Sequence, residues 1–213
     1  MKKMIKDYID TDYKFDKGTF TGLVFLIVVF AGVFGWVYEF FFYYMNSGFK
    51  TFYWRGSNFL PWINIYAYGA LIICFFTYKR RKKPLQVFLI SAISCGIFEL
   101  LSGYVLYGLI GRERCWSYNE EILNFGNIGG YVCLRSVLVF GLCGLLLIYV
   151  ILPLLVKISK KFKSSRTFMI ISLIICGIFL IDEVYNLVFH RLLGYYGAPD
   201  FYKSLGFKYI FFE

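Results

Sequence analysis

The amino-acid sequence predicts an all-α fold, a polytopic transmembrane helix bundle of about five spans with its N-terminus in and its C-terminus out. Three observations carry this prediction. Of the 213 residues, 59% are hydrophobic and 23% aromatic, and the mean hydropathy is +0.63. Apolar usage in a soluble domain sits near half, so a chain of this size cannot hide so much apolar surface from water. Five apolar runs each approach the 20 or so residues that a helix needs to cross a hydrocarbon layer of about 30 Å. Lysine and arginine fall between those runs in an alternating pattern.

In chain order, residues 1–19 form an expected cytoplasmic segment. It mixes Lys with Asp and does not resemble a cleavable signal peptide. The transmembrane domain is expected over 20–190, with spans at about 20–45, 59–78, 85–110, 131–156 and 167–190. A backbone in lipid must satisfy its amides internally, so these runs are read as helices, and the alternation of a β-barrel is absent. Pro61, Asn64 and Gly69 interrupt the second run, which leaves a full crossing and a broken or re-entrant segment both open. Residues 191–213 are read as an extracytoplasmic tail.

Orientation follows from the basic residues. Lys2, Lys3, Lys6, Lys14 and Lys17, then Lys79 to Lys83, then Lys157, Lys160, Lys161, Lys163 and Arg166 hold 15 of the 23 Lys and Arg. These three segments alternate to share one side, the expected cytoplasmic one. Tyr43, Tyr44, Tyr53, Trp54, Trp62, Trp116 and Tyr118 gather at the other ends of the spans, as an interfacial belt does.

The net charge of +10 does not point to nucleic acid, because the basic residues separate apolar runs and do not line one aromatic-studded face. His190 is the one histidine, and no CxxC or HExxH occurs, so neither a metal nor another cofactor is expected. Cys74, Cys95, Cys143 and Cys176 lie within apolar runs as small hydrophobes. Cys115 and Cys133 flank a polar loop, and spacing alone does not pair them. There is no phosphate-binding glycine loop and no serine or cysteine nucleophile with a placeable histidine, so an enzymatic role is left open as the lesser reading.

The residues that stand out are carboxylates within the spans: Glu39, Glu99, Asp182 and Glu183. Ionisable groups at membrane depth are costly; they face the protein interior, take a partner and often mark function. Glu39 shares a helix face with Gly32, Gly35 and Trp36. Glu99 follows Ala92, Cys95 and Gly96, and small residues at this spacing let helices approach closely. Glu183, Asn186 and His190 form a polar stripe on the last span. Arg55, Asn58 and Asn64 enter from the outer loop and the head of the second span, and Asn127 and Arg135 from the third loop and the head of the fourth. Arg55 and Arg135 are the expected partners of the carboxylates. The competing reading is that buried ion pairs only hold the bundle in register.

Several blocks resemble a known family. They are Gly35-Trp36-Val37-Tyr38-Glu39, Arg55-Gly56 with Pro61-Trp62 and Ile65-Tyr66, Gly96 with Glu99, and Trp116-Ser117-Tyr118 followed by Asn127, Gly130, Cys133-Leu134 and Pro153. In this order and spacing they are similar to the putative ABC-transporter type IV permeases, small bacterial multi-pass membrane proteins. This chain departs from that family where Ser117 replaces an Asp, Asn119 a Ser, and Asn64, Leu60 and Ala67 a Pro and two Gly.

The resulting expectation is a membrane-embedded, permease-like component of a transport system in the bacterial cell membrane. It would carry one outward-facing polar cavity lined by Glu39, Arg55, Asn64, Tyr66, Glu99, Trp116, Tyr118, Asn127, Arg135, Asp182, Glu183 and Asn186. Its expected partners are the lipid bilayer and a separate ATPase or second membrane subunit, in a homo- or hetero-oligomer. The alternatives are a non-catalytic membrane assembly or regulatory protein and, behind it, an intramembrane lipid-modifying enzyme using Glu39 or Glu99.

Overall fold

The computed structural model describes residues 8–9, 14–56, 58–109, 114, 116–119 and 121–209. Its architecture is a bundle of helices with almost no strand. Helix α1 runs Lys17–Asn46, α2 Asn64–Thr77, α3 Pro84–Leu109, α4 Leu134–Ser159 and α5 Ser165–Leu192; a short α6 (Ala198–Ser204) follows. Two residues, Tyr53–Trp54 (β1), pair in parallel with Lys208–Tyr209 (β2).

Helices α1, α3, α4 and α5 are long and apolar enough to cross a membrane. Helix α2 differs. At 14 residues it rises about 21 Å, short of a hydrocarbon layer, and a 3₁₀ turn at Tyr78–Arg80 extends it. The expected second span begins at residue 59, yet residues 59–63 are not helical. The reason is local: Pro61 has no amide hydrogen and disfavours helix at the residue before it.

The helix starts follow familiar chemistry. Asp16 caps α1, accepting from the Thr19 amide at 3.1 Å and the Thr19 hydroxyl at 2.7 Å. Pro84 opens α3, where its missing amide hydrogen costs nothing. Within α4 the backbone widens into a π segment at Leu147–Ile151, just ahead of Pro153; a proline leaves its helical acceptor unpaired, and a widened turn absorbs the mismatch.

Helix α1 packs between α2 and α5, and α3 packs between α2 and α4. The last turns of α4, Leu152–Ser159, return to α1. The core between them holds Leu23, Ile27, Ala70, Ile73, Val87, Ile148 and Leu155. Two glycines make the contacts possible: a Cβ on Gly35 would enter the Tyr66 ring, and one on Gly144 would enter Ser91. The described basic segments meet at one end of the bundle. There Gly18 abuts Ser165, the Arg81 guanidinium lies 6.0 Å from the Tyr8 ring, and Tyr149 donates to the Arg81 carbonyl at 2.6 Å. Lys2, Lys3, Lys6 and Arg112 lie outside the described residues, as does Cys115; the Cys133 thiol is free and buried.

Candidate functional site

At the opposite end of the bundle the polar side chains form two groups on either side of the head of α2. The first begins at Glu39, on the α1 face that Gly35 keeps narrow. Arg55, from the α1–α2 loop, donates through Nε to Glu39 Oε2 at 2.8 Å. Tyr66, one turn into α2, donates its hydroxyl to Glu39 Oε1 at 3.0 Å. Arg55 is 7% exposed. Burial is the largest influence and works against its charge, but Glu39 together with Tyr43 and Tyr66 overcomes it and holds the guanidinium above its ordinary pKa.

From Arg55 the contacts continue across the bundle. Its guanidinium lies 4.0 Å from the centre of the Tyr43 ring, and the Tyr43 hydroxyl donates to Glu121. Arg135, at the head of α4, donates to the other Glu121 oxygen at 2.5 Å. The Arg135 guanidinium also sits 4.2 Å from the Phe42 ring and 5.1 Å from the Tyr118 ring. Tyr118 donates to Glu99 Oε1 at 2.6 Å, and Ser136 to Glu99 Oε2 at 2.8 Å. Burial, and then the adjacent Glu99, push the Tyr118 hydroxyl well above the usual tyrosine range, so it remains a donor. Two ion pairs and one carboxylate held by neutral hydroxyls thus form a continuous polar layer linking α1, α2, α3 and α4.

The second group joins α5 to the α1–α2 loop. Asp182 accepts from the backbone amides of Phe59 at 3.1 Å and Leu60 at 2.6 Å. Glu183 accepts from the side-chain amides of Asn58 at 2.7 Å and Asn64 at 2.6 Å. Asn186 donates to Asp182 Oδ1 at 2.8 Å and accepts from the Ala198 amide at 2.9 Å. These bonds explain the acids. The loop at 58–63 interrupts the helical ladder within an apolar bundle, and unpaired amides there cost several kcal/mol each; Asp182 supplies the missing acceptor for two of them. The C-terminal segment completes the cover: Trp54 stacks on Tyr202 with ring centres 3.6 Å apart, and Tyr202 donates to the Phe59 carbonyl at 2.7 Å.

Of the residues singled out in the sequence, Glu39, Arg55, Tyr66, Glu99, Tyr118 and Arg135 meet in the first group, and Asn64, Asp182, Glu183 and Asn186 in the second. Trp116 and Asn127 join neither. Trp116 donates to the Tyr131 carbonyl, and Asn127 bonds Asn119 and the Gly130 amide, so both shape the α3–α4 loop. Arg135 pairs with Glu121 and with none of the four in-span carboxylates. His190 contacts the Tyr195 carbonyl and Asp200 and is not continuous with the carboxylates. Glu121, Ser136 and the bridging role of Tyr43 were not apparent from sequence. An acid in a loop rich in Asn and Gly carries no periodic signal, and Tyr43 reads as one more belt aromatic.

Next to the first group lies a cavity of about 50 Å³ between α1, α2 and α4. Its floor is Ala70, Ile73, Leu147 and Ile151, and its rim includes Phe30, Phe34, Phe140 and Cys143. Tyr66 belongs to both places, its ring lining the cavity and its hydroxyl on Glu39. No cluster of three or more metal-ligating side chains occurs among the described residues.

No curated protein and no solved structure matched the chain. A family model matches residues 23–187, a stretch that contains every in-span carboxylate and both arginine pairs. The chain is therefore a member of the family described as putative ABC-transporter type IV.

Proposed function

We propose that the chain is the permease-like membrane component of a transport system. It would sit in a bacterial cell membrane with the Lys79–Lys83 and Lys157–Arg166 segments facing the cytoplasm, and a separate ATPase or second membrane subunit would drive it. The observation that carries this reading is the polar layer at one end of an otherwise apolar bundle. Carboxylates are expensive at membrane depth and mark substrate or ion pathways there, and here Glu39 and Glu99, from α1 and α3, belong to a layer that links four helices. Family membership supports the same reading. In this view residues 20–190 form the transmembrane domain, 1–19 a cytoplasmic segment and 191–213 an outward segment.

Extraction in a mild detergent, followed by mass spectrometry of what accompanies the chain, tests the proposal. Recovery of an ATPase or a second membrane subunit in stoichiometric amount is the expected result. Recovery of this chain alone, with uptake and export unchanged on its deletion, would overturn it. A second reading, an assembly or regulatory protein, draws support from Asp182 and Glu183, whose described bonds hold the α1–α2 loop and the head of α2. It predicts that Glu39→Gln and Glu99→Gln alter complex formation without a separate transport defect.

A further inference from the structure

We infer that Glu99 is a proton-binding site, its carboxyl cycling between a carboxylate that accepts from the Ser136 hydroxyl and a carboxylic acid that donates to it. This deepens the transport reading, on which its role rests, by giving the polar layer a ligand, the proton. The three acids of the layer differ in what they bond. Glu39 is paired with Arg55 at 2.8 Å, and Glu121 with Arg135. Glu99 is 5% exposed, and its described bonds come from two neutral hydroxyls, Tyr118 on Oε1 at 2.6 Å and Ser136 on Oε2 at 2.8 Å. Taking a charge out of water is expensive without a bonded cation, whereas a neutral carboxyl asks only for hydrogen bonds.

The contacts of Ser136 show how the proton is held. A hydroxyl has one proton to give and two lone pairs that accept. The Cys133 amide donates to Ser136 Oγ at 3.2 Å, while the Cys133 carbonyl and Glu99 Oε2 lie 3.0 and 2.8 Å from it. With Glu99 ionised, the single Ser136 proton faces two acceptors and serves one at the expense of the other. With a proton on Oε2, all three contacts are bonds at once. Glu99 and the Cys133 amide then donate to Oγ, and Oγ donates to the Cys133 carbonyl. Tyr118 donates to Oε1 in both states, which leaves Oε2 as the oxygen that takes the proton. Release is accommodated as well, because the Cys133 carbonyl keeps the Val137 amide at 3.1 Å when the Ser136 hydroxyl turns to Glu99. In uptake a hydronium ion gives its proton to Oε2 and leaves as water; release is the reverse. The ionisable groups facing Glu99 are Tyr118 of the α3–α4 loop, Glu39 of α1 and Arg135 of α4, with Cys95 one turn back on α3. Glu121 in the loop and Tyr66 on α2 face Tyr118 in turn.

Infrared difference spectroscopy of the whole chain in phosphatidylcholine bilayers, stepped between about pH 9 and about pH 5, reads the carbonyl stretch that only a protonated carboxyl shows. Isotopic labelling of the glutamate side-chain carboxyls separates their bands from those of aspartate. A band of one glutamyl carboxyl per chain is expected to grow as pH falls, to shift in heavy water and to disappear in Glu99→Gln. Ser136→Ala removes the hydroxyl that receives the proton, and should move both the frequency of that band and the pH at which it is half grown. That second variant keeps the test decisive if Glu99→Gln does not fold. No titrating glutamyl band, or one that persists unchanged in Glu99→Gln, would overturn the site. The same frequency and midpoint in Ser136→Ala would overturn the exchange with Ser136. None of these readings depends on an accompanying ATPase or on transport, so failure here and failure of the transport reading remain distinguishable.

Discussion

At the scale of single residues, the acids are distinguished by what they bond. Asp182 satisfies two loop amides, so Asp182→Ala leaves both without an acceptor, at a cost of about 1–3 kcal/mol per group. Asp182→Asn keeps an acceptor for one and should lose roughly half as much, read as thermal unfolding in detergent. Glu39 and Arg55 form a nearly buried pair with side-chain exposures of 18% and 9%. Breaking such a pair from one side strands a charge and costs about 3–5 kcal/mol, more than removing both. Arg55→Leu alone should therefore destabilise more than the double variant with Glu39→Leu. Equal losses would mean that the pair is too wet to matter. Asp16 shows the pH dependence of a surface cap. Its carboxyl is lowered to about 2, first by the Thr19 hydroxyl and then by the Thr19 amide. A depressed folded-state pKa stabilises above the unfolded value near 3.8 and loses that contribution as pH falls through 2. The melting difference between the protein and Asp16→Ala should hold steady from pH 7 to 5 and shrink below pH 4.

At the scale of elements, the four long helices were legible in the sequence because lipid leaves the backbone no alternative. Charge and hydropathy then place their ends within a few residues. The second run was less legible. Its apolar stretch is long enough, but the helix starts only at Asn64, past a proline that keeps the residue before it out of helix, and hydropathy does not register that restriction. What the sequence did show were the in-span acids and Arg55. What it hid were partners drawn from loops, since Glu121 meets Tyr43 from 78 positions away and no periodicity links them. The C-terminal segment was read as a tail, yet α6 and β2 lie on the α1–α2 loop through Trp54, Tyr202 and the Tyr53–Lys208 pairing. Trp54→Ala removes the stack, and protease cleavage between residues 194 and 209 should become faster while the helices stay protected. Gly35 offers a test of helix approach: Gly35→Leu forces its side chain into Tyr66. It should separate α1 from α2, breaking the Tyr66–Glu39 bond with a loss of about 1–3 kcal/mol from overpacking.

At the scale of the whole molecule, polarity is sorted by end. One end collects Lys79 to Lys83, Lys157 and Lys160 to Arg166; the other collects Glu39, Arg55, Glu99, Glu121, Arg135, Asp182 and Glu183, each engaged with a partner side chain or with backbone. The two kinds of charge are physically different. Basic loop residues are largely solvent-exposed and free to be held by an anionic lipid surface, while the paired groups are balanced internally and exert little orienting force. The basic end should therefore fix topology, and changes at the paired end should leave it unaltered. Single cysteines placed in the Lys79–Lys83 loop and at residue 204, in a chain otherwise free of cysteine, should report this through an impermeant maleimide added to intact cells. Residue 204 should label and the loop should not. Replacing all five basic residues at 79–83 with Ser or Asn removes a third of the 15 that set the bias, and should yield a measurable fraction of chains with the loop labelled. Removing Arg55 and Arg135 together should leave the labelling pattern unchanged. Labelling of the loop in the unaltered chain would reverse the proposed orientation and place the polar layer on the cytoplasmic side.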